Sequence, residues 1–170
     1  MKKYLRNSVF ILSSIVFYLL WSNGGEQVYG KFVTTGIEKF TTKISGIESV
    51  QYKHIPNQQI TIITCNYSDR KTNIALEFCL PIVLLLAWHL SLFFDRRISS
   101  KTALKYFFVN FAILYFLQIL FPLLLYNISQ SKLKSMGLFI GLQIFSFLVF
   151  FLILKDSLII KSKFSEPTEN

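Results

Sequence analysis

Apolar residues gather into four blocks along this 170-residue chain. The first is short, Ser8 to Ser22. The second runs from about Ile74 to Phe94, the third from about Ala103 to Tyr126 and the fourth from about Ser135 to Leu154. Each of the last three has about 20 residues, enough to cross a hydrocarbon core of roughly 30 Å as a helix. The first block comes after Lys2, Lys3 and Arg6, which fits a signal sequence. No small-x-small cleavage site comes after it, and Tyr4 and Trp21 sit where interfacial anchors belong, so it reads as an uncleaved signal anchor. Pro81 and Pro122 fall near the same membrane surface, where loop and water satisfy a freed carbonyl.

Between the first two blocks the pattern changes. Tyr29, Phe32, Val33, Ile37, Phe40, Ile44 and Ile47 recur at spacings of three and four, which predicts an amphipathic helix. Lys31, Lys39 and Lys43 fall largely off that face. Such a helix lies on the membrane or packs on the next element; a docking face for a partner helix is the sharper alternative. Then Val50, Tyr52 and His54 alternate before Pro56-Asn57, and Ile60, Ile62 and Thr64 alternate after it, the pattern of a β-hairpin. With Ile55 and Gln58 flanking the turn, Cys65 would face Glu48. A lone hairpin is marginal in water and must pack on the helix, the membrane or another protein, and its edges are open to strand addition by a partner.

The predicted fold is therefore a membrane all-α protein with four transmembrane helices plus a small extracytoplasmic α+β subdomain. Residues 1–22 form the anchor, 23–73 the external helix and hairpin, 74–154 the remaining spans and 155–170 a cytoplasmic polar tail. Composition agrees: 52% of residues are hydrophobic, 16% are charged and 18 are Phe, against roughly a quarter charged in a soluble domain. The net charge of +9 would suggest nucleic acid in a soluble protein, but no basic stripe interleaved with aromatics is present. The lysines and arginines instead flank the spans. Lys2, Lys3, Arg6, Arg96, Arg97, Lys101, Lys105, Lys155, Lys161 and Lys163 pack against span ends on one side, which the positive-inside rule makes cytoplasmic, together with both termini. The lipid bilayer is the first implied partner.

Candidate chemistry concentrates in the second block, which holds Glu77, Cys79 and His89. Cys79 and His89 lie about 15 Å apart along one helix, too far for a nucleophile and its base. Cys79 reads as a small packing residue. Cys65 and His54 are separated along the hairpin on the order of 20 Å. The two histidines fall on opposite sides of the membrane, which gives no metal-ligand spacing, and no Gly-rich phosphate loop or nucleophile elbow occurs, so no cofactor is expected. Asn110, Gln118 and Gln143 are expected to hydrogen-bond between helices. Glu77, at the outer surface, is the one polar residue of this block with a claim to function.

The order of parts, with "ISGIESVQYKHIPNQQITIITC" and then "NIALEFCLPIVLLLAW", resembles the exosortase H-associated membrane proteins of bacteria. In that family a similar helix and hairpin lead to an Asn and then Leu-Pro before an aliphatic run, and Asn73, Leu80 and Pro81 occupy those positions here. The aromatic-rich approach is reduced to Phe78, and Cys79 stands in place of a Gly. The resemblance implies a multi-pass inner-membrane protein that is the accessory partner of an exosortase, an integral-membrane transpeptidase acting on sorting signals, and it carries no catalytic residues over to this sequence. The expected function is thus a non-enzymatic scaffold that binds a membrane partner through Tyr29, Phe32, Phe40, Ile44, Tyr52, Ile60 and Ile62. The alternative is a small membrane enzyme or transporter using the Glu77 carboxylate.

Overall fold

The computed structural model describes the chain except residues 1, 42–46, 56–59, 68–70, 77–78, 96, 129–133 and 166–170. It is mostly helical with a small sheet. Helix α1 covers Lys2–Leu20, and Trp21–Gly25 forms a wide π turn that leads into α2, Glu26–Thr41. Strands β1 (Ile47–Ile55), β2 (Ile60–Tyr67) and β3 (Lys71–Leu76) come next, and then α3 (Cys79–Phe93), α4 (Ser100–Ile128) and α5 (Lys134–Ser165). Two helical segments, Leu5–Phe40 and Ser100–Phe121, are long and apolar enough to cross a membrane; Leu80–Phe93 is apolar but shorter.

The break between α1 and α2 has a local cause. Asn23 leaves the helical region (φ −93°, ψ 28°) and Gly24 takes φ 111°, a left-handed conformation that costs a glycine little. The carbonyls freed there find side-chain donors: Ser22 Oγ donates to the Tyr18 carbonyl at 3.0 Å and Asn23 Nδ2 to that of Leu19 at 2.7 Å. The Glu26 N–H reaches back to the Trp21 carbonyl.

The hairpin expected from the alternation is present, but it belongs to a three-stranded antiparallel sheet in the order β1-β2-β3. The ladder closes at Ile55↔Ile60, so Cys65 faces Val50 and not Glu48, which falls in the irregularity between Ile47 and Ser49. Residues Ile74 to Leu76, expected to open the second span, instead pair with Ile63, Ile62 and Thr61. The third strand occupies the second edge of β2, which a two-stranded hairpin would leave open. Pro81 then falls in the first turn of α3, where a helix has no use for its N–H.

The helices pack antiparallel. Arg6 meets Asp95 and Phe10 meets Trp88 between α1 and α3, while Asn110 meets Asp156 and Phe121 meets Phe145 between α4 and α5. Helix α2 instead crosses α4: Tyr29, Phe32 and Phe40 all meet α4 within Phe111 to Phe116. The larger core joins Trp21, Tyr29, Val33 and Ile37 to Ile63 and Cys65 of β2 and to Leu85, Leu114, Ile119 and Val149. A smaller core at the other end holds Trp88, Leu92, Ala103 and Ile160. Helix α5 does not stop at Leu154, as the apolar pattern suggests, but continues to Ser165. On that continuation Asp156 and Ile160 are buried, so helical packing extends past the boundary expected for the polar tail.

The α3–α4 loop closes the end with the smaller core. Asp95 accepts from Arg97 Nε at 2.9 Å and Nη2 at 2.7 Å, and from Arg6 Nη1 at 3.2 Å, while Arg6 lies 5.5 Å above the Trp88 ring. The Arg97 hydrogen bonds hold the Asp95 carboxyl down to about 2, below its usual 3.8. Its folded value is depressed, so its stabilisation is complete above the unfolded value and disappears as pH falls through the folded one. Unfolding measured between about pH 4 and 2 should show wild type losing stability in that window, and Asp95→Asn should flatten that part of the profile. Equal slopes for the two proteins would refute the assignment.

Candidate functional site

Among the described residues, the most polar buried region lies where α3, α4 and α5 meet. His89, Asn110 and Asp156 are all buried there. Asn110 Nδ2 donates to Asp156 Oδ2 at 2.7 Å and lies 3.2 Å from His89 Nε2, while Asn110 Oδ1 accepts from Lys155 Nζ at 2.8 Å. These partners fix the amide. An ammonium only donates and an ionised carboxylate only accepts, so the carbonyl must face Lys155 and the NH2 must face Asp156. The second Asn110 N–H then points at His89 Nε2, which must be the accepting nitrogen, so the imidazole proton sits on Nδ1. The Phe107 ring stands edge-on to the imidazole at 5.5 Å. In this cluster Trp88 Nε1, His89 Nδ1 and Asp156 Oδ1 are buried without a hydrogen bond of good geometry, although the Trp88 indole faces the Asp156 carboxylate. Lys155 Nζ approaches Asp156 Oδ1 to 3.4 Å.

A second, simpler polar contact sits at the α2–α4 crossing. Tyr29 OH donates to Gln118 Oε1 at 2.5 Å, with the Tyr29 ring against Trp21 and Phe111. The interhelix bonding expected of Asn110 and Gln118 is thus present; the side chain of Gln143 is outside the described residues. The apolar pattern makes His89 no more than the label of a span end, whereas it is enclosed in the bundle and bonded to α4. Asp156 escapes a reading by hydropathy, because the apolar window closes at Leu154. The signal that finds it is the helical phase of Leu152, Asp156 and Ile160, which continues the buried stripe.

The candidate partner-binding residues divide. Tyr29 is buried against this chain's own α4 and is not available at the surface. Phe32 and Phe40 are each 48% exposed; Phe32 stacks on Tyr115 with centroids 4.5 Å apart, and Phe40 stands edge-on to Phe116 at 6.1 Å. Ile62 is half-buried in the central strand. Tyr52 and Ile60 are placed by register alone, opposite Ile63 and Ile55. Ile44 and Glu77 lie outside the described residues, as does the side chain of Cys79. Cys65 is buried, and that burial pushes its thiol up to about 11, so it remains a protonated packing residue. The register puts His54 four rungs away, about 13 Å along the strand, closer than expected but still out of reach. Among the described residues no three His, Cys, Asp or Glu side chains gather as a metal site would require.

These features define a class, a helical bundle with membrane-length apolar helices and a small antiparallel sheet. Compared with protein-family models, curated proteins and solved structures, the chain matches none.

Proposed function

We propose that this chain is a non-enzymatic accessory protein of the inner membrane that binds another integral membrane protein through α2. In this reading the chain crosses the membrane four times, by α1, α3, α4 and α5. The cytoplasmic face is the end where Arg6, Arg97, Lys101 and Lys105 cluster, by the positive-inside rule. The sheet and α2 form the external layer. The resemblance noted in the sequence names the partner class, an exosortase-type transpeptidase.

The observation that carries the reading is the double use of α2. One face, Tyr29, Val33 and Ile37, is buried within this chain. A second apolar row remains outward, with Val28 72% exposed and Phe32 and Phe40 each 48%. Phe116 of α4, also exposed, extends it. An apolar row rich in aromatics, beside a sheet, is the composition of an interface core. Rigid aromatic side chains are also the usual energetic anchors of such surfaces.

Photo-crosslinking side chains introduced at Phe32 and Phe40 should capture one discrete membrane protein in native membranes, identifiable by mass spectrometry. The same group at Phe150, exposed on α5, should yield lipid adducts. Lipid adducts alone at all three positions would remove the proposal.

A further inference from the structure

We propose that this chain thins the bilayer on one side: the outer leaflet is shallower beside α1, α2 and α3 than beside α4 and α5, and α2 marks the lowered surface. The inference rests on the reading that α1, α3, α4 and α5 cross the membrane. It comes from the unequal heights of those helices and from the side chains that one height exposes on opposite sides of the bundle.

Contacts between the helices set a common level. His89 of α3 meets Asn110 of α4, which bonds to Asp156 of α5, and Phe10 of α1 meets Trp88, the neighbour of His89. From that level, at 1.5 Å per residue, α1 rises about 15 Å from Phe10 to its end at Leu20, and α3 about 15 Å from His89 to its start at Cys79. Helix α4 rises about 27 Å from Asn110 to Ile128, and α5 about 33 Å from Asp156 to Lys134. The shortfall of the first pair is not made up below. From Arg6, held at the loop end by Asp95, to Leu20 is about 21 Å, and the apolar stretch of α3, Leu80–Phe93, covers about 20 Å. Both fall well short of a hydrocarbon core of roughly 30 Å, which α4 and α5 exceed.

Helix α2 shows how this mismatch is resolved. It lies across the membrane-length stretch of α4, Ser100–Phe121, and not beyond it. Phe32 stacks on Tyr115, and Gly36 abuts Tyr115 and Ile119. Those two α4 residues stand about 8 and 14 Å above Asn110. A flat core of roughly 30 Å, measured from Ala103 at the buried foot of α4, would reach about 20 Å above Asn110 and enclose α2. Yet α2 exposes Lys31, Glu38 and Lys39. A lysine can snorkel to a headgroup, but the shorter Glu38 cannot, and a charge in hydrocarbon is costly. Over the same height α4 exposes Ile113, Leu117 and Leu120, a helical stripe out of phase with Tyr115 and Ile119. Water at α2 and hydrocarbon at that stripe require a membrane surface that drops from one side to the other. Short helices are accommodated by such thinning at modest cost. Helix α2 and strand β2 share a core with Ile82 and Leu85 of α3, so they occupy the space that the short helices leave. A polar segment of a neighbouring membrane protein can then reach Phe32 and Phe40 without standing above a full leaflet.

Depth measurements on the full chain in dioleoyl-phosphatidylcholine vesicles test this. A nitroxide amino acid is incorporated at Leu12, Leu20 or Leu120, one per protein, with the native cysteines kept. All three side chains are exposed, so the label displaces no packing. Collisions with oxygen, which concentrates in hydrocarbon, and with a neutral nickel chelate, which stays in water, report where each label sits. Leu20 and Leu120 both stand about 15 Å above the common level. The oxygen-to-nickel ratio should nevertheless be several-fold higher at Leu120 than at Leu20, and Leu12, midway along α1, should also favour oxygen. Equal ratios at Leu20 and Leu120 would overturn the proposal, whether both labels lie in hydrocarbon or both in water. A label at Leu12 that favours nickel would remove the membrane-crossing reading itself, and the thinning with it.

Discussion

Asn110→Leu is expected to destabilise the bundle by about 3 kcal/mol, the largest effect of any single polar substitution in the spans. The magnitude comes from the number of groups the side chain serves. It donates to Asp156 and His89 and accepts from Lys155, so one change strands groups on two other helices. An isolated interhelix hydrogen bond in a membrane bundle contributes only about 0.6 kcal/mol, because unfolded segments find substitute partners. Tyr29→Phe, which removes the single bond to Gln118, should fall near that smaller figure. Leucine has the same branching and heavy-atom count as asparagine, so the substitution leaves no cavity. The pairing is tested by a cycle. When both partners become apolar the desolvation penalty largely disappears, so Asn110→Leu/Asp156→Leu should be more stable than the sum of the single changes by more than 1 kcal/mol, roughly the coupling of contacting sites. Reversible unfolding in mixed micelles measures all four proteins. A loss below about 1 kcal/mol for Asn110→Leu, or additivity in the cycle, would mean that the cluster does not hold the helices together.

Asn110 itself is legible in the sequence, since a lone amide in an apolar run must find a partner. Its partners are not. Asp156 comes directly after Lys155 at the end of an apolar block, where charges ordinarily mark the exit into water. Hydropathy cannot tell that the helix continues for another three turns, with Asp156 and Ile160 still buried on it. The same limit hides β3. Only Glu77 and Phe78 separate Ile74, Ala75 and Leu76 from the apolar residues of α3, too short a break for composition to part strand from helix; the ladder with β2 separates them, and that contact is not local. The α2 helix is legible as amphipathic because its periodicity is local. The spacing groups Tyr29, Phe32, Val33, Ile37 and Phe40 on one wide face, and the crossing with α4 divides that face. Tyr29, Val33 and Ile37 turn inward, whereas Phe32 and Phe40 stay at the rim. Which side of a broad apolar face is covered depends on the crossing angle, which no single helix encodes.

That crossing depends on Gly36, and Gly36→Leu is expected to destabilise the chain by about 2 kcal/mol through overpacking. Even Gly36→Ala should cost stability. In an open helix position alanine is better than glycine by nearly 1 kcal/mol, so the sign of the change shows whether the site has room. It does not: a Cβ at this position would run into the Tyr115 hydroxyl and would lie 2.6 Å from Ile119 Cδ1. Tyr115 can swing aside, but only by giving up its stack on Phe32 and its 3.4 Å contact with the Phe32 carbonyl. Ile119 is 1% exposed and has nowhere to go. Small residues at helix crossings bring backbones close in this way, and here the close approach carries the layer that holds Phe32 and Phe40. Gly36→Leu should therefore abolish crosslinking at Phe32, while the same group at Phe150 on α5 should still yield lipid adducts. Ile119→Ala should restore part of the stability of Gly36→Ala by making space for the methyl group. If Gly36→Ala is as stable as wild type or more so, the two helices are not in contact at this point and α2 is not seated on α4.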